Sequence, residues 1–217
     1  MIPVLTIDGP SGAGKGTVSR AIAKQLGWHY LDSGSIYRAL GIACLQQNVD
    51  LNNIEAVTHL AETLNLAFEC CDELKVKLNN VDITAKLGLE KTAHTASIVA
   101  AIPKVRTILL AKQQAFQQRP GLVADGRDMG TVVFVTAKNK VYLTASAETR
   151  AKRRYKQLIE KGIDANLARI TDEIQARDKR DTERKTAPLV KAENALYIDS
   201  SDLSITEVID KILNFIH

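Results

Sequence analysis

The sequence predicts a three-layer α/β fold built around a parallel sheet, and three observations indicate it. Residues 2–7, IPVLTI, are apolar and almost unbroken, as in a strand that is buried on both faces of a parallel sheet. A glycine-rich loop and a helical pattern follow this run directly. Short apolar runs then alternate with helical patterns along most of the chain, which is the order of elements in α/β proteins.

The first half of the chain predicts two strand–helix units followed by a change of pattern. Apolar residues fall at helical spacing from Val18 to Leu26, and Gly27 predicts the end of that helix. Trp28 to Leu31 predicts a second strand, with a helix after it. Residues 74–83, LKVKLNNVDI, alternate between apolar and polar, and Asn79-Asn80 suits the turn of an antiparallel hairpin. A hairpin in this position indicates a lobe inserted into the α/β chain.

The second half of the chain returns to alternating helices and strands. Pro103 suits the first turn of a helix, because its missing N–H is not needed there. Strands are predicted at residues 122–125, 141–143 and 196–198. Ser204 and Glu207 have the spacing of a capping box at the start of the last helix. The apolar stripe of that helix consists of Ile205, Val208, Ile209, Ile212, Leu213 and Ile216.

The size and composition of the chain are those of a globular protein with one main core. It has 217 residues, of which 45% are hydrophobic and 25% charged, which excludes disordered and fibrous classes. No apolar run approaches the ~20 residues that cross a bilayer, and residues 1–8 lack the basic start of a signal peptide. Cys44 and the adjacent pair Cys70-Cys71 have neither disulfide nor metal-site spacing. We therefore expect a cytoplasmic protein without a membrane partner.

Residues 9–17, GPSGAGKGT, form a strong phosphate-binding pattern between the first strand and the first helix. Its glycines permit tight turns, so that backbone N–H groups can converge on phosphate oxygens. The helix N-terminus adds partial positive charge, and Lys15 supplies a mobile cation for the outer phosphates. A glycine-rich turn without a ligand is the alternative. The candidate nucleotide-binding residues here are Gly9, Pro10, Ser11, Gly12, Ala13, Gly14, Lys15, Gly16 and Thr17.

Gly16 departs from the usual pattern, in which a Ser or Thr hydroxyl after the lysine holds magnesium. Thr17 follows one residue later and is rotated by ~100° around the helix. We therefore expect no direct protein ligand for Mg²⁺, which nucleotide phosphates and water would hold, in keeping with its reluctance to dehydrate. Thr17 or Asp125, the acid at the end of a predicted strand, would contact the metal-bound water. Such a site suits an enzyme that releases nucleotide every cycle.

Four segments together resemble bacterial cytidylate kinases, which belong to the nucleoside monophosphate kinases. They are GPSGAGKGT at 9–17, LDSGSIYR at 31–38, ADGRDMGTVVF at 124–134 and RDKRDTERKTAPL at 177–189. The first segment alone fits many such kinases, whereas all four in this order are highly specific. The resemblance implies a P-loop kinase fold and transfer of the γ-phosphate of ATP to CMP or dCMP, with ATP as co-substrate and Mg²⁺ required.

The resemblance also implies one kinase domain with three parts. We expect a core of about residues 1–59, 100–149 and 186–217. An inserted lobe of about residues 60–99, which contains the hairpin, would bind the nucleoside monophosphate. A short helical lid would occupy about residues 150–185. The expected oligomeric state is a monomer, because no symmetric hydrophobic patch is readable in the sequence.

The resemblance implies that the catalytic residues are Lys15, Arg127 and Arg184. The acceptor is a phosphate monoester with a second pKa near ~6, so it is mostly dianionic at neutral pH and needs no strong general base. Bringing it up to ATP, another anion, requires positioning and charge neutralisation. Arg38, Arg127 and Arg184 are expected to bind the phosphate of CMP, because a guanidinium forms a bidentate fork with phosphate oxygens.

Cytosine selectivity is expected to come from Asp128 and Arg106. By resemblance, the carboxylate accepts from the N4 amino group and the guanidinium donates to N3 and O2. Uracil would leave both groups facing the wrong partner, which can impose large discrimination. Ser97 would assist from the inserted lobe, and Ser33 would contact the phosphate or the sugar. The structural alternatives are a solvated Arg106, a helix hydroxyl at Ser97 and a helix N-cap at Ser33.

Residues 148–185 hold twelve basic and eight acidic residues, which accounts for the whole net charge of +4. A solvated helical face is one interpretation of such a run, and the i, i+4 spacing of Arg177 and Asp181 also describes a surface ion pair. The resemblance implies instead that these two residues hold the ribose hydroxyls of CMP. The expected contacts of this stretch with ATP phosphates are Arg150, Arg153 and Arg154.

Two other classes of protein and one other kind of enzyme are alternatives to this assignment. A GTPase switch needs an Asn-Lys-x-Asp segment, and Asn139-Lys140 is followed by Val-Tyr. A nucleic-acid-binding module would want several aromatic side chains in the basic stretch, where only Tyr155 occurs. We therefore expect small nucleotides and no nucleic acid as partners. A kinase selective for UMP or AMP is the closest alternative within enzymes.

Overall fold

The protein is described by a computed structural model that covers residues 2–70, 74–160 and 162–216, without the side chains of residues 68–70 and 74. These residues form two compact units. One comprises residues up to Leu31 together with Gln117 onwards, and the other comprises Asp32–Phe116. The predicted lobe of residues 60–99 falls within the second unit. Cys71 and the side chain of Cys70 lie outside the description, whereas Cys44 is a buried free thiol.

A five-stranded sheet organises the first unit, and its strand order is β2-β6-β1-β7-β8. The pairs β1–β6, β1–β7 and β7–β8 are all parallel. The strands are β1 (Val4–Asp8), β2 (His29–Asp32), β6 (Leu122–Gly126), β7 (Asn139–Thr144) and β8 (Leu196–Asp199). The predicted α/β fold with a parallel sheet is thus confirmed. The central β1 has β6 on one side and β7 on the other, so the loop that follows β1 starts where the chain order reverses, the usual ligand position in such sheets.

The helices of the first unit come mostly from the second half of the chain. They are α1 (Lys15–Leu26), α7 (Ala147–Glu160), α8 (Leu167–Glu183) and α9 (Ile205–Leu213). Gly27 ends α1 in a left-handed conformation, with φ of 65°, as the sequence predicts. Ser204 and Glu207 form the predicted capping box of α9. Of the predicted apolar stripe of α9, Val208 and Ile212 are buried, Ile205 is 54% exposed, and Ile216 lies beyond the end of the helix.

The core of the first unit lies on both faces of the central strands. The side chains of Leu5 and Ile7 on β1 are fully buried, as is Ile22 on α1. Leu143 on β7 and Ile212 on α9 are also without exposure. An apolar strand buried on both faces is what the sequence of residues 2–7 predicts, and this burial fixes the end of β1 where the glycine-rich loop starts.

The second unit contains a three-stranded antiparallel sheet and five helices among its described residues. The sheet order is β3-β4-β5, with β3 at Leu66–Cys70, β4 at Leu74–Leu78 and β5 at Val81–Asp82. Asn79 and Asn80 adopt φ of 50° and 65° between β4 and β5, so the predicted hairpin turn is confirmed. The sequence analysis did not predict β3. The helices are α2 (Ser33–Gln46), α3 (Ile54–Thr63), α4 (Thr84–Leu87), α5 (Glu90–Val99) and α6 (Pro103–Gln114).

None of the described helices combines the length and the apolar character of a bilayer-spanning segment.

Candidate active site

The glycine-rich loop connects β1 to α1 in the predicted strand–loop–helix context. Gly9 leaves β1 with φ of 151°, and a Cβ there would overlap the carbonyl oxygen of Leu143, so no larger residue fits. Gly14 stands at the N-cap of α1 in a left-handed conformation. The first helical residue is Lys15, which is buried. Its Nζ donates to the carbonyl oxygen of Pro10 at 2.8 Å, so the loop encloses its own lysine.

The charge of Lys15 is poorly supported by its surroundings. Burial lowers the pKa of Lys15 to about 7, and the positive charges of Arg127 and Arg177 add to that effect. Asp125 and Asp8 act in the opposite direction. Two guanidinium groups therefore lie close enough to disfavour the charged form of Lys15, an arrangement that a bound polyanion would relieve.

Two arginines of the predicted lid segment support the phosphate loop, Arg150 by a direct hydrogen bond and Arg153 through Ser200. Arg150 is buried, and its Nη1 donates to the carbonyl oxygen of Ser11 at 3.1 Å. The same guanidinium is held by the carboxylate of Asp178 through contacts of 3.1 and 2.6 Å. Arg153 donates to the carbonyl oxygen of Ser200 at 2.6 Å. The hydroxyl of Ser200 lies within hydrogen-bond distance of two carbonyl oxygens, that of Thr144 at 3.0 Å and that of Ala13 at 3.2 Å.

Sequence reasoning missed two of these supporting residues, Asp178 and Ser200. Both lie far along the chain from the loop that they support. Asp178 stands within the segment 177–189 noted above, but nothing in that segment indicates a contact with Arg150, and no local pattern marks Ser200. Of the three arginines predicted to contact ATP phosphates, Arg150 and Arg153 make the hydrogen bonds within the protein that are described above. Arg154 lies half-buried on the same helix.

The buried polar side chains of Tyr30 and Asp125 lie next to Gly16. A Cβ at residue 16 would lie 3.6 Å from the Tyr30 hydroxyl and 3.7 Å from Oδ2 of Asp125. The Tyr30 hydroxyl donates to that same Oδ2 at 2.7 Å. The absent side chain of the usual motif is thus replaced by a buried carboxylate with a fixed orientation. Sequence reasoning selected Asp125 and missed Tyr30.

Arginines and acids from β6, α8 and the segments after them form a connected cluster. Arg127 Nε donates to Oδ2 of Asp181 at 2.7 Å, and Arg177 Nε lies 3.9 Å from the same oxygen. Arg184 Nη2 lies 3.7 Å from Oδ1 of Asp128. The predicted site residues of this unit are therefore brought together. The interpretation of Arg177 and Asp181 as a surface ion pair is wrong, because Asp181 is buried and is shared with Arg127.

Charge compensation within this cluster is visible in its pKa values. Burial works to raise the pKa of Asp181, but the charges of Arg127 and Arg177 hold it below its usual value. Burial likewise opposes the charged form of Arg127, and Asp181 more than offsets this, so the pKa of Arg127 is raised. Arg127 and Asp181 are thus both charged at neutral pH, and their hydrogen bond holds the Arg127 guanidinium in place.

The predicted site residues of the second unit are described within that unit. Asp32 is the N-cap of α2, accepting from the Ser35 N–H at 3.1 Å, so the alternative of Ser33 as the N-cap is wrong. The Ser33 hydroxyl donates to Oε1 of Gln113 at 2.7 Å. Among the described residues, no hydrogen-bond partner contacts Nε of the half-buried Arg38.

Arg106 and Ser97 belong to adjacent helices of the second unit. Arg106 is 8% exposed, so a solvated position is excluded. Its Nη1 donates to the carbonyl oxygen of Ala100 at 3.0 Å, and its guanidinium lies 5.4 Å from the ring centroid of Tyr37. This contact orients the guanidinium plane. Ser97 is half-buried on α5.

Metal-binding capacity is limited in the part of the chain that the structure describes. No group of three or more His, Cys, Asp or Glu side chains is placed to hold an ion there. The single carboxylate of Asp125 beside Gly16 fits a contact with metal-bound water and not a complete protein coordination shell.

Comparison with known proteins gives a family match over almost the whole chain. The family model described as cytidylate kinase matches residues 5–217. The chain is 55% identical over 215 residues to a cytidylate kinase of Colwellia psychrerythraea, covering 98% of this chain and 95% of that one. It is 54% identical over 215 residues to a cytidylate kinase of Methylococcus capsulatus, covering 99% and 97%. A cytidylate kinase of Shewanella oneidensis is 54% identical over 218 residues, covering 99% and 95%.

Solved structures also align with this chain, with low TM-scores and low sequence identity. The structure of shikimate kinase from Acinetobacter baumannii in complex with shikimate has a TM-score of 0.46 and 18% sequence identity. It covers 99% of this chain and 92% of that one.

Proposed function

The chain belongs to the cytidylate kinase family, and from this premise we propose which of its residues perform each part of the reaction. The protein is a phosphotransferase that moves the γ-phosphate of ATP to CMP or dCMP, giving CDP or dCDP and ADP. The substrates are therefore nucleotides, and ATP is the co-substrate. The selective UMP or AMP kinase and the nucleotide switch are not favoured.

The observation that carries the residue assignment is the concentration of cations beside the phosphate loop. Burial is the largest cause of the pKa of about 7 at Lys15, and repulsion by the positive charges of Arg127 and Arg177 lowers it further. Two bound phosphate chains would turn this repulsion into attraction, which supports a role for Lys15 in binding the phosphates of ATP.

The nucleophile in this scheme is an oxygen of the CMP phosphate, and no general base is required. Arg127 and Arg184 hold the acceptor phosphate in line with the γ-phosphate of ATP. Lys15 leaves the carbonyl oxygen of Pro10 and contacts the outer phosphates of ATP. As negative charge shifts toward the leaving ADP, the three cations neutralise it, so catalysis consists of alignment and charge stabilisation.

The phosphate loop provides the remaining contacts with ATP. The N–H groups of residues 9–17 surround its phosphates, aided by the start of α1. Arg153 and Arg154 add further positive charge from α7. Arg153 already holds Ser200, which contacts the loop at Ala13, so its contribution includes bracing the loop against the nucleotide.

Recognition of CMP is assigned to the residues that the family resemblance implies. Asp128 accepts from the N4 amino group of cytosine, and Arg177 and Asp181 contact the ribose. Arg38 binds the phosphate, Ser33 contacts phosphate or sugar, and Arg106 and Ser97 read the base. Two observations support these roles: Nε of Arg38 has no hydrogen-bond partner among the described residues, and the guanidinium of Arg106 is oriented by Tyr37.

Magnesium is proposed to enter with ATP. The ion would supply positive charge that neutralises part of the charge of the ATP phosphates. Asp125, oriented by Tyr30 beside Gly16, and Thr17 on the first turn of α1 would contact water molecules of its shell. The protein then needs no direct metal ligand.

We also propose a monomer located in the cytoplasm, where its nucleotide substrates occur. Residues 60–99 are assigned as the lobe that binds the monophosphate, and residues 150–185 as the lid. The contact of Arg150 with Ser11 of the phosphate loop, and that of Arg153 with Ser200 beside the loop, support the placing of the lid segment near ATP.

A parallel assay of ADP release tests the function. The purified protein is given ATP–Mg²⁺ with CMP, dCMP, UMP, AMP or GMP. We expect kcat/KM for CMP and dCMP to exceed that for the other acceptors by at least about 100-fold. Lys15→Ala should abolish turnover with every acceptor. Equal rates with UMP or AMP would contradict cytosine selectivity, and a rate unaffected by Lys15→Ala would contradict the role of the loop.

A further inference from the structure

Asp8, the last residue of β1, makes two contacts that no part of the proposed mechanism uses. The side chain is buried, with 4% exposure. Its Oδ1 accepts from the Met129 N–H at 2.8 Å, and its Oδ2 accepts from the Gly130 N–H at 2.8 Å. One carboxylate therefore holds two consecutive N–H groups, and these N–H groups directly follow Asp128 in the chain.

The peptide group that joins Asp128 to Met129 is held on both sides. Its carbonyl oxygen accepts from the N–H groups of Val132 at 2.9 Å and Val133 at 3.1 Å. Its N–H donates to Asp8. Rotation of this peptide would break all three hydrogen bonds in a buried environment, where orphaned polar groups are costly. The direction in which the Asp128 side chain leaves the backbone is thereby fixed.

Gly130 fits closely into the same arrangement. A Cβ at this residue would lie 2.9 Å from Oγ1 of Thr6 and 3.4 Å from Oδ2 of Asp8. Only a glycine lets the Gly130 N–H approach the carboxylate without displacing the turn. The sequence GRDMG after β6 is thus shaped to be held by Asp8.

Burial disfavours the charged form of the Asp8 carboxylate in this position. Burial raises the pKa of Asp8 to about 6, and the two N–H groups offset only part of that effect. A neutral side chain would avoid the cost of burying a charge. A carboxylate, however, is acceptor-only on both oxygens, so it can satisfy two neighbouring N–H donors at once.

We propose that Asp8 is a positioning residue for base recognition: it locks the backbone from which Asp128 contacts cytosine. This inference rests on the proposed role of Asp128 as the group that accepts from the N4 amino group. The last residue of β1, directly before the phosphate loop, would then contribute to selecting the base of the acceptor nucleotide.

The test is the ratio of kcat/KM for CMP to kcat/KM for UMP in Asp8→Asn. An asparagine keeps the shape but turns an NH₂ group toward one of the two N–H donors. We expect the CMP-to-UMP ratio to fall by about 10-fold or more, with a raised KM for CMP. Asp50→Asn is the matched control, because exposed Asp50 also accepts from a backbone N–H, that of Asn52 at 2.9 Å. Asp50→Asn should leave the CMP-to-UMP ratio and the KM for CMP unchanged.

Gly130→Ala provides a second route if Asp8→Asn does not fold. The added methyl group pushes the turn away from Asp8 and should reproduce the loss of selectivity with the carboxylate still present. In the wild-type protein, the amide protons of Met129 and Gly130 should be strongly protected from hydrogen exchange. Exchange of either proton at the rate of an exposed amide would overturn the proposal without any variant.

Asp128→Asn distinguishes failure of this inference from failure of the proposed function. If Asp128→Asn lowers the CMP-to-UMP ratio and Asp8→Asn lowers only kcat, Asp8 is merely structural and the inference is overturned alone. If Asp128→Asn leaves the ratio unchanged, the base-reading role itself is wrong and the inference fails with it. A lowered ratio in both variants supports the proposal.

Discussion

Lys15 shows how one residue can link nucleotide binding to pH. Its pKa of about 7 lies far below the usual value of 10.5, chiefly because the side chain is buried. The unfolded state therefore holds more protons than the folded state between these values. Within that range, the contribution of Lys15 to the free energy of unfolding rises with pH.

Nucleotide binding should reverse the shift at Lys15, since phosphate oxygens favour the charged amine. We expect uptake of close to one proton per ADP at about pH 8.5, and less at lower pH, where Lys15 is already charged and the phosphate itself carries a proton. Isothermal titration in buffers of different ionisation enthalpy measures this number. Lys15→Arg is the control, because its guanidinium is always charged and takes up no proton. Equal uptake by Lys15→Arg and wild type at the higher pH would contradict the assignment to Lys15.

Tyr30 offers a second prediction at the scale of a residue. Tyr30→Phe removes only the hydroxyl that donates to Asp125. A less firmly oriented carboxylate should raise the Mg²⁺ concentration for half-maximal activity several-fold, while the KM for CMP stays the same. The free energy of unfolding should fall by about 1–3 kcal/mol, since a buried acceptor loses a donor. Tyr197→Phe is the control, because that side chain is mostly exposed on β8. An unchanged requirement for Mg²⁺ in Tyr30→Phe would remove Tyr30 from the account.

At the scale of elements, α7 and α8 are joined by one ion pair of unusual burial. The side chains of Arg150 and Asp178 are 5% and 25% exposed, and their closest atoms are 2.6 Å apart. Around this pair, Ala151, Ile170 and Ile174 form a small apolar cluster between the two helices. Arg150 also contacts Ser11, so this helix pair supports the phosphate loop.

Removal of Asp178 should destabilise this helix pair strongly. Asp178→Ala leaves a buried guanidinium without its carboxylate and should lower the free energy of unfolding by about 3 kcal/mol. Glu148→Ala breaks an ion pair of the same 2.6 Å length with Lys152 on the same helix, but there the side chains are 75% and 62% exposed. That change should cost less than about 1 kcal/mol. Urea unfolding measures both values, and equal losses would show that burial of the pair is irrelevant.

The elements differ in how far the sequence could predict them, for a physical reason. The turn at Asn79-Asn80 and the capping box at Ser204 depend on residues a few positions apart, so local pattern is sufficient. The strand β3 has no such marker and becomes a strand only by pairing with β4. Asp8 meets Gly130 across 122 positions of sequence. Contacts of that range depend on the completed sheet, and no periodicity reveals them.

For the whole molecule, the candidate site shows the same division. The phosphate loop follows from the spacing of its glycines and Lys15, and the other site residues came from resemblance to a family. The supporting residues Asp178, Ser200 and Tyr30 were missed. They act through other side chains or through carbonyl groups of the loop, and such roles leave no motif.

A crystal structure of the protein with CMP and ADP tests the central claim most directly. That claim is that arginines hold the phosphate of CMP while a carboxylate inspects its base. The account predicts Arg127 and Arg184 within hydrogen-bond distance of the CMP phosphate, and the Asp128 carboxylate within the same distance of the N4 amino group. A complex in which the base lies away from Asp128, or in which neither arginine contacts that phosphate, would contradict it.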